Sequence, residues 1–517
     1  MEGIVAGDAV AKALHVMLRG HVQEHGEQGH TCALFCASMV IDALGGSGDG
    51  LNAVPTHTAV QAMELARAWL GEYVGRGMCA CSARIDLAGD CTHEVRAVVR
   101  GMVTPKRVAG LARGEVDAVC DVVTEAFFDS LKRARGPEAT EGVWTRPDIR
   151  PPRVHSLLGA PPSASCLVQG LLLLERVYVP PAARDLPLRG SACRMVLFAV
   201  ALEETDDWPW PRLCALVDSL CAFAHVVGCQ MGMSEGVLGR FLRAGVLPLE
   251  RLALSNMQAL ASLSGAEVVH ALAPSVLESC VGMVGCLERT NMVSESYLHV
   301  LPPEHAALKH EGMAVTGEQD PATSGEWRAR VEHVRTLVVA QRERVSLEEL
   351  VCCVEATEKV LRRTALSASD GQTTAVAGGG CFEVHAAAYL RQRAMLARQG
   401  EGFSGPRSHK KAHARVAAAV EAVASSLLAV PAALNTHGIP SSAEVVNAIE
   451  AANAASLARQ EISVRSTLSG AEPAAANYGR GEVLFGWDPV EGECTQVLGE
   501  GVARGVLDSW GAKSSAL

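Results

Sequence analysis

The chain has 517 residues, 49% of them hydrophobic but only 4% aromatic, and a formal charge of −11 with a pI near 5.9. That length implies several units, each folded around its own interior, and a composition rich in Ala, Val, Leu and Gly excludes long stretches of disorder. The acidic balance argues against nucleic acid as the main partner, since few counterions would be released on binding.

The first residues, MEGIVAGDAV, place Glu2 and Asp8 where a signal peptide would carry positive charge and then an apolar run, so secretion is not expected. Next comes HVQEHGEQGHTCALFC (21–36), with His21, His25, His30, Cys32 and Cys36 close together. Imidazole and thiolate suit zinc, but Gly26 and Gly29 break the helix between the donors, and both cysteines fall on the apolar face of TCALFCASMVI. A core role is preferred and no metal is assigned. PTHTAVQAMELARAWLGEYV (55–74) aligns Val60, Met63, Ala66, Leu70 and Tyr73 on one helical face.

The turn-rich stretches 134–153, 309–325 and 366–380 read as boundaries or exposed loops. Between the first two, HVVGCQ (225–230), VLPLERL (246–252) and AEVVHAL (266–272) read as short strands alternating with helices at 234–243 and 255–263, a parallel α/β layer. DDWPWPR (206–212) reads as a capped turn that tucks Trp208 and Trp210 into that layer. The flanks read as helical, including 325–345 and SLEELVCCVEATEKVL (346–361). An α/β insert between helical flanks implies a helical domain rebuilt from both ends of the chain.

Three glycines, Gly378, Gly379 and Gly380, stand before a helix whose stripe is Ala387, Leu390, Ala394 and Ala397. Such a turn could hold a phosphate, admit another backbone, or only separate two elements. GPRSHKKAHAR (405–415) gathers cations without aromatics and reads as a solvated loop. The apolar run 416–430 is interrupted by Glu421 and followed by Pro431, so a buried helix is expected rather than a membrane span. Seventeen cysteines without a C-x-x-C pair read as reduced, buried thiols.

Read together, four segments resemble the group II chaperonins, and within them the divergent branch tied to the McKusick–Kaufman and Bardet–Biedl syndromes. GGGCFE (378–383) is similar to that family's G-G-G-A-x-E turn beside the nucleotide. HVVGCQMGMSE (225–235) is similar to its apical strand and turn. VPTHTAVQAMELA (54–66) is similar to its H-P-T-x-I helix, and GVLDSWGAKSSAL (505–517) to a segment near its C-terminal end. The resemblance implies a multidomain α+β fold: a helical equatorial domain at 1–98 and 363–517, a small intermediate domain at 99–153 and 321–362, and an α/β apical domain at 154–320.

It also implies ATP and Mg²⁺ as ligands, held weakly at most by Gly26, Glu27, Thr31, Gly378, Gly379, Gly380 and Asp508. The family's G-D-G-T-T-T loop stands here as GEQGHT, so the aspartate is Glu27 and the second glycine Gln28; the second catalytic aspartate falls at Ala356. With both catalytic positions degenerate, hydrolysis is expected to be lost. TDDWPWPR follows MVLFAVALEE at once, leaving little room for the family's lid protrusion, and the upstream G-P-x-G-x-x-K loop and the last helix are expected to be missing. The implied role is a chaperonin-like assembly factor for client subunits, serving the ciliary Bardet–Biedl complex in the cytoplasm, at the centrosome or at the basal body. It would work as a monomer or in a small hetero-complex with other chaperonin-like proteins, with no nucleic acid and no membrane insertion. An active ATP-dependent chaperonin with Glu27 serving for aspartate, and an inert relic, are the competing readings.

Overall fold

The computed structural model describes residues 9–25, 28–44, 54–75, 79–105, 109–135, 149–188, 190, 192–303, 334–399, 410–434, 441–468, 483–488, 493–498 and 506–509. The chain forms two compact units: Pro152–Leu347 is one, and the other is assembled from both flanks, Met1–Pro151 with Glu348–Leu517.

The flanking unit is mainly helical. Its core is built around the helices Thr56–Gly75, Cys381–Gln399 and Lys410–Leu427. Small side chains on these helices let them approach closely: Ala62, Ala66, Ala386, Ala387, Ala419 and Ala424 are all buried where they meet. Tyr73 stacks on Tyr389 with ring centroids 4.4 Å apart, and the Tyr73 hydroxyl donates to Gln460 Oε1 at 2.6 Å. That hydrogen bond lets a phenol sit in an apolar core at no desolvation loss. The stretch Ala414–Ala432 is long and apolar enough by composition to cross a membrane, with mean hydropathy 1.4 over 19 residues. Its apolarity is accounted for by packing, because Ala417, Val420, Val423, Ala424 and Leu427 all face the core.

Two small sheets complete this unit. Gln372–Ala377 lies between Ser82–Asp86 and Leu507–Ser509, antiparallel to both, so one sheet joins three segments far apart in the chain. Leu484–Asp488 and Glu493–Leu498 form an antiparallel hairpin. The stretch 366–380, expected to be a boundary or an exposed loop, therefore contains a strand: QTTAVA carries β-branched Thr373, Thr374 and Val376, and it ends buried at Ala375, Val376 and Ala377.

The inserted unit holds a four-stranded sheet in the order Leu247–Leu249, Val226–Cys229, Cys193–Phe198, Val281–Val284. The first three strands are parallel and the last is antiparallel. Helices Glu235–Ala244 and Leu254–Ser264 follow the strands as expected, each ending on a left-handed glycine, Gly245 and Gly265. Trp208 and Trp210 pack against this layer, and Arg212 lies over the Trp208 ring at 4.2 Å. The third expected strand, 266–272, reduces to a single bridge between Phe198 and Val269, because the segment makes only one register contact at the end of its neighbour.

The stretch 325–345 also departs from expectation. Arg335–Gln341 is a strand, parallel to Arg153–Leu158 and antiparallel to Cys166–Gln169, because TLVVA is a continuous apolar run that suits a strand flanked on both sides. A third sheet, Leu171–Leu174, Glu295–Leu301 and Cys286–Met292, is antiparallel. None of the seventeen cysteines forms a disulfide.

Candidate functional site

A cavity of about 710 Å³ lies in the flanking unit. One wall is the glycine turn, and its geometry answers what three glycines are for. Gly379 and Gly380 have φ of +61° and +78°, the left-handed region that glycine enters without strain. Gly378 N donates to Val506 O at 2.8 Å, and Gly379 O accepts from Trp487 N at 2.8 Å. A Cβ on Gly378 would lie 2.7 Å from Val506 Cγ1, and one on Gly380 2.6 Å from Pro431 Cβ. The turn thus admits two neighbouring backbones, one on each side, while Gly379 and Gly380 also line the cavity.

Another part of the lining comes from the first two helices, Ala9–His25 and Gly29–Leu44, which contribute Arg19, His30 and Thr31, and from Gln28 just before the second. Gln28 has φ of +62°, although it is not glycine, and its side-chain Oε1 accepts from Thr31 Oγ1 at 2.7 Å. That conformation is the one a glycine would adopt cheaply. Gly101, in the helix Thr92–Val103, brings a third wall close. A Cβ there would lie 2.5 Å from Leu507 O, so its absence lets the strand bearing Asp508 pack directly on the helix. Asp508 pairs with Val376 in register and lines the cavity, as does Asp488 at the end of its hairpin strand.

Of the residues singled out from sequence, Thr31, Ala356, Gly379, Gly380 and Asp508 converge on this one cavity. Gly378 stands beside it in the turn, and Gly26 and Glu27 lie outside the described residues. Ala356 presents a methyl group to the cavity, with no proton to give or take. Asp488, Glu383, Arg19 and His30 also line it and were not anticipated. Asp488 sits in GWDP with no motif around it, and only the hairpin's docking on Gly379 carries it to the site. Glu383 could have been found, since it is the acid of GGGCFE. It is fully buried on the first turn of the Cys381–Gln399 helix, where a carboxylate is favoured by the helix dipole.

A sequence model of the TCP-1/cpn60 chaperonin family matches residues 215–517, more than half of the chain. The chain belongs to this family. Its chaperonin relatives include the mouse molecular chaperone MKKS, 23% identical over 441 residues that cover 81% of this chain and 68% of the mouse protein. The human molecular chaperone MKKS is 22% identical over 413 residues, covering 74% and 62% respectively. The chain therefore spans about two thirds of the length of these curated relatives. The fold resembles the open-state monomer of a group II chaperonin from Methanococcoides burtonii, with a TM-score of 0.50 at 14% identity, covering 95% of this chain and 96% of that one. The architecture is thus the group II chaperonin monomer fold, a mixed α+β chain with several small sheets.

Proposed function

We propose that this chaperonin is an assembly factor that holds client subunits without turning over ATP. The observation that carries the reading is Ala356: at a cavity where the chaperonin family positions the water that attacks ATP, this chain offers a methyl group. Phosphoryl transfer depends almost wholly on positioning of Mg²⁺ and water, so loss of a positioning acid removes turnover while leaving binding contacts in place. Glu27 for the other aspartate places a longer acid in the same loop. On this reading Gly26, Glu27, Thr31, Gly378, Gly379, Gly380 and Asp508 contact an adenine nucleotide with Mg²⁺, weakly and without a catalytic residue.

The division into an equatorial domain (1–98 and 363–517), an intermediate domain (99–153 and 321–362) and an apical domain (154–320) follows the same reading, with clients held on the apical surface. Kinship with the proteins named molecular chaperone MKKS supports client binding, and assembly of the ciliary Bardet–Biedl complex at the basal body or centrosome is the role proposed, in a monomer or small hetero-complex with other chaperonin-like proteins. Steady-state ATP hydrolysis by the purified chain, with nucleotide binding and particle mass measured on the same preparation, tests this. Turnover should fall at least about a hundredfold below that of an intact chaperonin, with no double ring. Turnover at the intact level that is abolished by Glu27→Ala would establish the active-chaperonin reading instead.

A further inference from the structure

Next to the glycine turn, Cys81, Cys381 and His385 bring their donor atoms within 4.8 Å of one another, and all three side chains are fully buried. Cys381 Sγ lies 3.8 Å from Cys81 Sγ and 3.8 Å from His385 Nδ1. We propose that these residues form a structural site for a thiophilic d-block cation, Zn²⁺ or Cu⁺ in type, that clamps the two halves of the flanking unit together.

The spacing supports coordination. Two thiolates bound to tetrahedral zinc at about 2.3 Å stand roughly 3.8 Å apart, so the sulfurs are already separated as ligands would be. The charge supports it as well. Two thiolates and a neutral imidazole cancel a divalent cation, which is the condition for holding one in an apolar core.

The imidazole is oriented from behind, as ligand histidines are: Nε2 lies 3.2 Å from Ser456 Oγ on the helix Ala454–Leu468. His385 O accepts from Gln460 Nε2 at 3.0 Å, which fixes the backbone of the same turn. Without metal, Nδ1–H donates to Cys381 O at 3.0 Å. On metal binding Nδ1 gives its lone pair to the cation, Nε2–H donates to Ser456, and the thiol protons pass to solvent. Cys79, which hydrogen-bonds to both Cys81 and Tyr73, is a candidate fourth donor, and the Cys₃His set it would complete carries one net negative charge with Zn²⁺.

The sequence signals were C-A-C at 79–81 and Cys381 four residues before His385 on one helix face, a pattern that a search for C-x-x-C passes over. Cys81 and Cys381 are 300 positions apart, so the clamp would join a strand entry near one end of the chain to the helix that follows the glycine turn.

Cobalt substitution tests the site. The full-length chain, reduced and freed of metal by chelation, is titrated with Co²⁺ alone, and its thiols are then alkylated with and without Zn²⁺ and mapped by mass. The proposal expects one equivalent of Co²⁺ per chain with tetrahedral visible bands and a thiolate charge-transfer band. It also expects Zn²⁺ to protect Cys81 and Cys381 from alkylation while the exposed Cys352 reacts equally in both. Cys381→Ser and Cys81→Ser should abolish the bands, whereas Cys494→Ser should keep them. Failure of the wild-type chain to bind Co²⁺, or equal alkylation of Cys81 and Cys381 with and without Zn²⁺, overturns the site even if the serine variants do not fold.

Discussion

Gly380→Ala is expected to destabilise the flanking unit by about 3–5 kcal/mol, the sum of a left-handed backbone that a side chain resists and an overlap that cannot be relieved cheaply. The backbone at this position has φ of +78°, and the new Cβ would meet Pro431 Cβ at 2.6 Å and Pro431 Cα at 3.2 Å. Proline cannot rotate away, because its ring is closed onto the backbone of the short helix Ala429–Ala432. Gly71→Ala is the matched control. Gly71 lies in a regular helix with open space around it, and the substitution should stabilise by about 0.5–1 kcal/mol. Urea unfolding of the three proteins checks both signs. Equal stability of wild type and Gly380→Ala would mean that the turn is not held between the hairpin and the short helix.

Glu358→Gln should make the protein more stable at alkaline pH, by about 2–4 kcal/mol at pH 8 and above, and by almost nothing below pH 4. Burial, reinforced by the neighbouring Glu355 charge, pushes the Glu358 carboxyl up to about 8. Its Oε1 has no hydrogen-bond partner among the described residues. A folded-state value above the unfolded one means that the folded chain keeps a proton that the unfolded chain releases. Stability therefore falls as pH rises from about 4.5 to about 8 and then levels off. Glutamine is neutral throughout and removes that slope. Thermal or urea midpoints of the two proteins between pH 4 and 9 decide the matter, and parallel curves would show that Glu358 is solvated in solution.

These two sites bear on the proposed role. Gly380 shapes the cavity wall, and Glu358 lies two residues from Ala356 on the helix Arg344–Ser367, which forms another part of that wall. Residues two apart on a helix point to different sides, so Glu358 stands behind the face that Ala356 turns to the cavity.

Local chemistry was legible without coordinates wherever it depends on neighbours a few positions apart. The stripes of the helices Thr56–Gly75 and Cys381–Gln399, the strands Val226–Cys229 and Leu247–Leu249, and the tucked tryptophans of DDWPWPR all follow from periodicity and turn chemistry that span one or two turns of chain. The discontinuous arrangement was legible too, because the order of segments along the chain carries it. Arg335–Gln341 was misread because an apolar run of a few residues fits a helix as well as a strand until a partner strand supplies the hydrogen bonds, and Gln372–Ala377 because the Ser, Asp and Gly before it and the glycines after it read as a boundary or loop. The use of the three glycines was equally hidden: the sequence by itself left open a phosphate, another backbone or a mere turn at 378–380, while only the tertiary structure decided that Val506, Trp487 and Pro431 approach there. The same holds for Asp488 at the cavity and for Cys81 beside Cys381. Contacts across hundreds of residues arise from sheet register and core packing, which close loops at an entropic cost that no local pattern records.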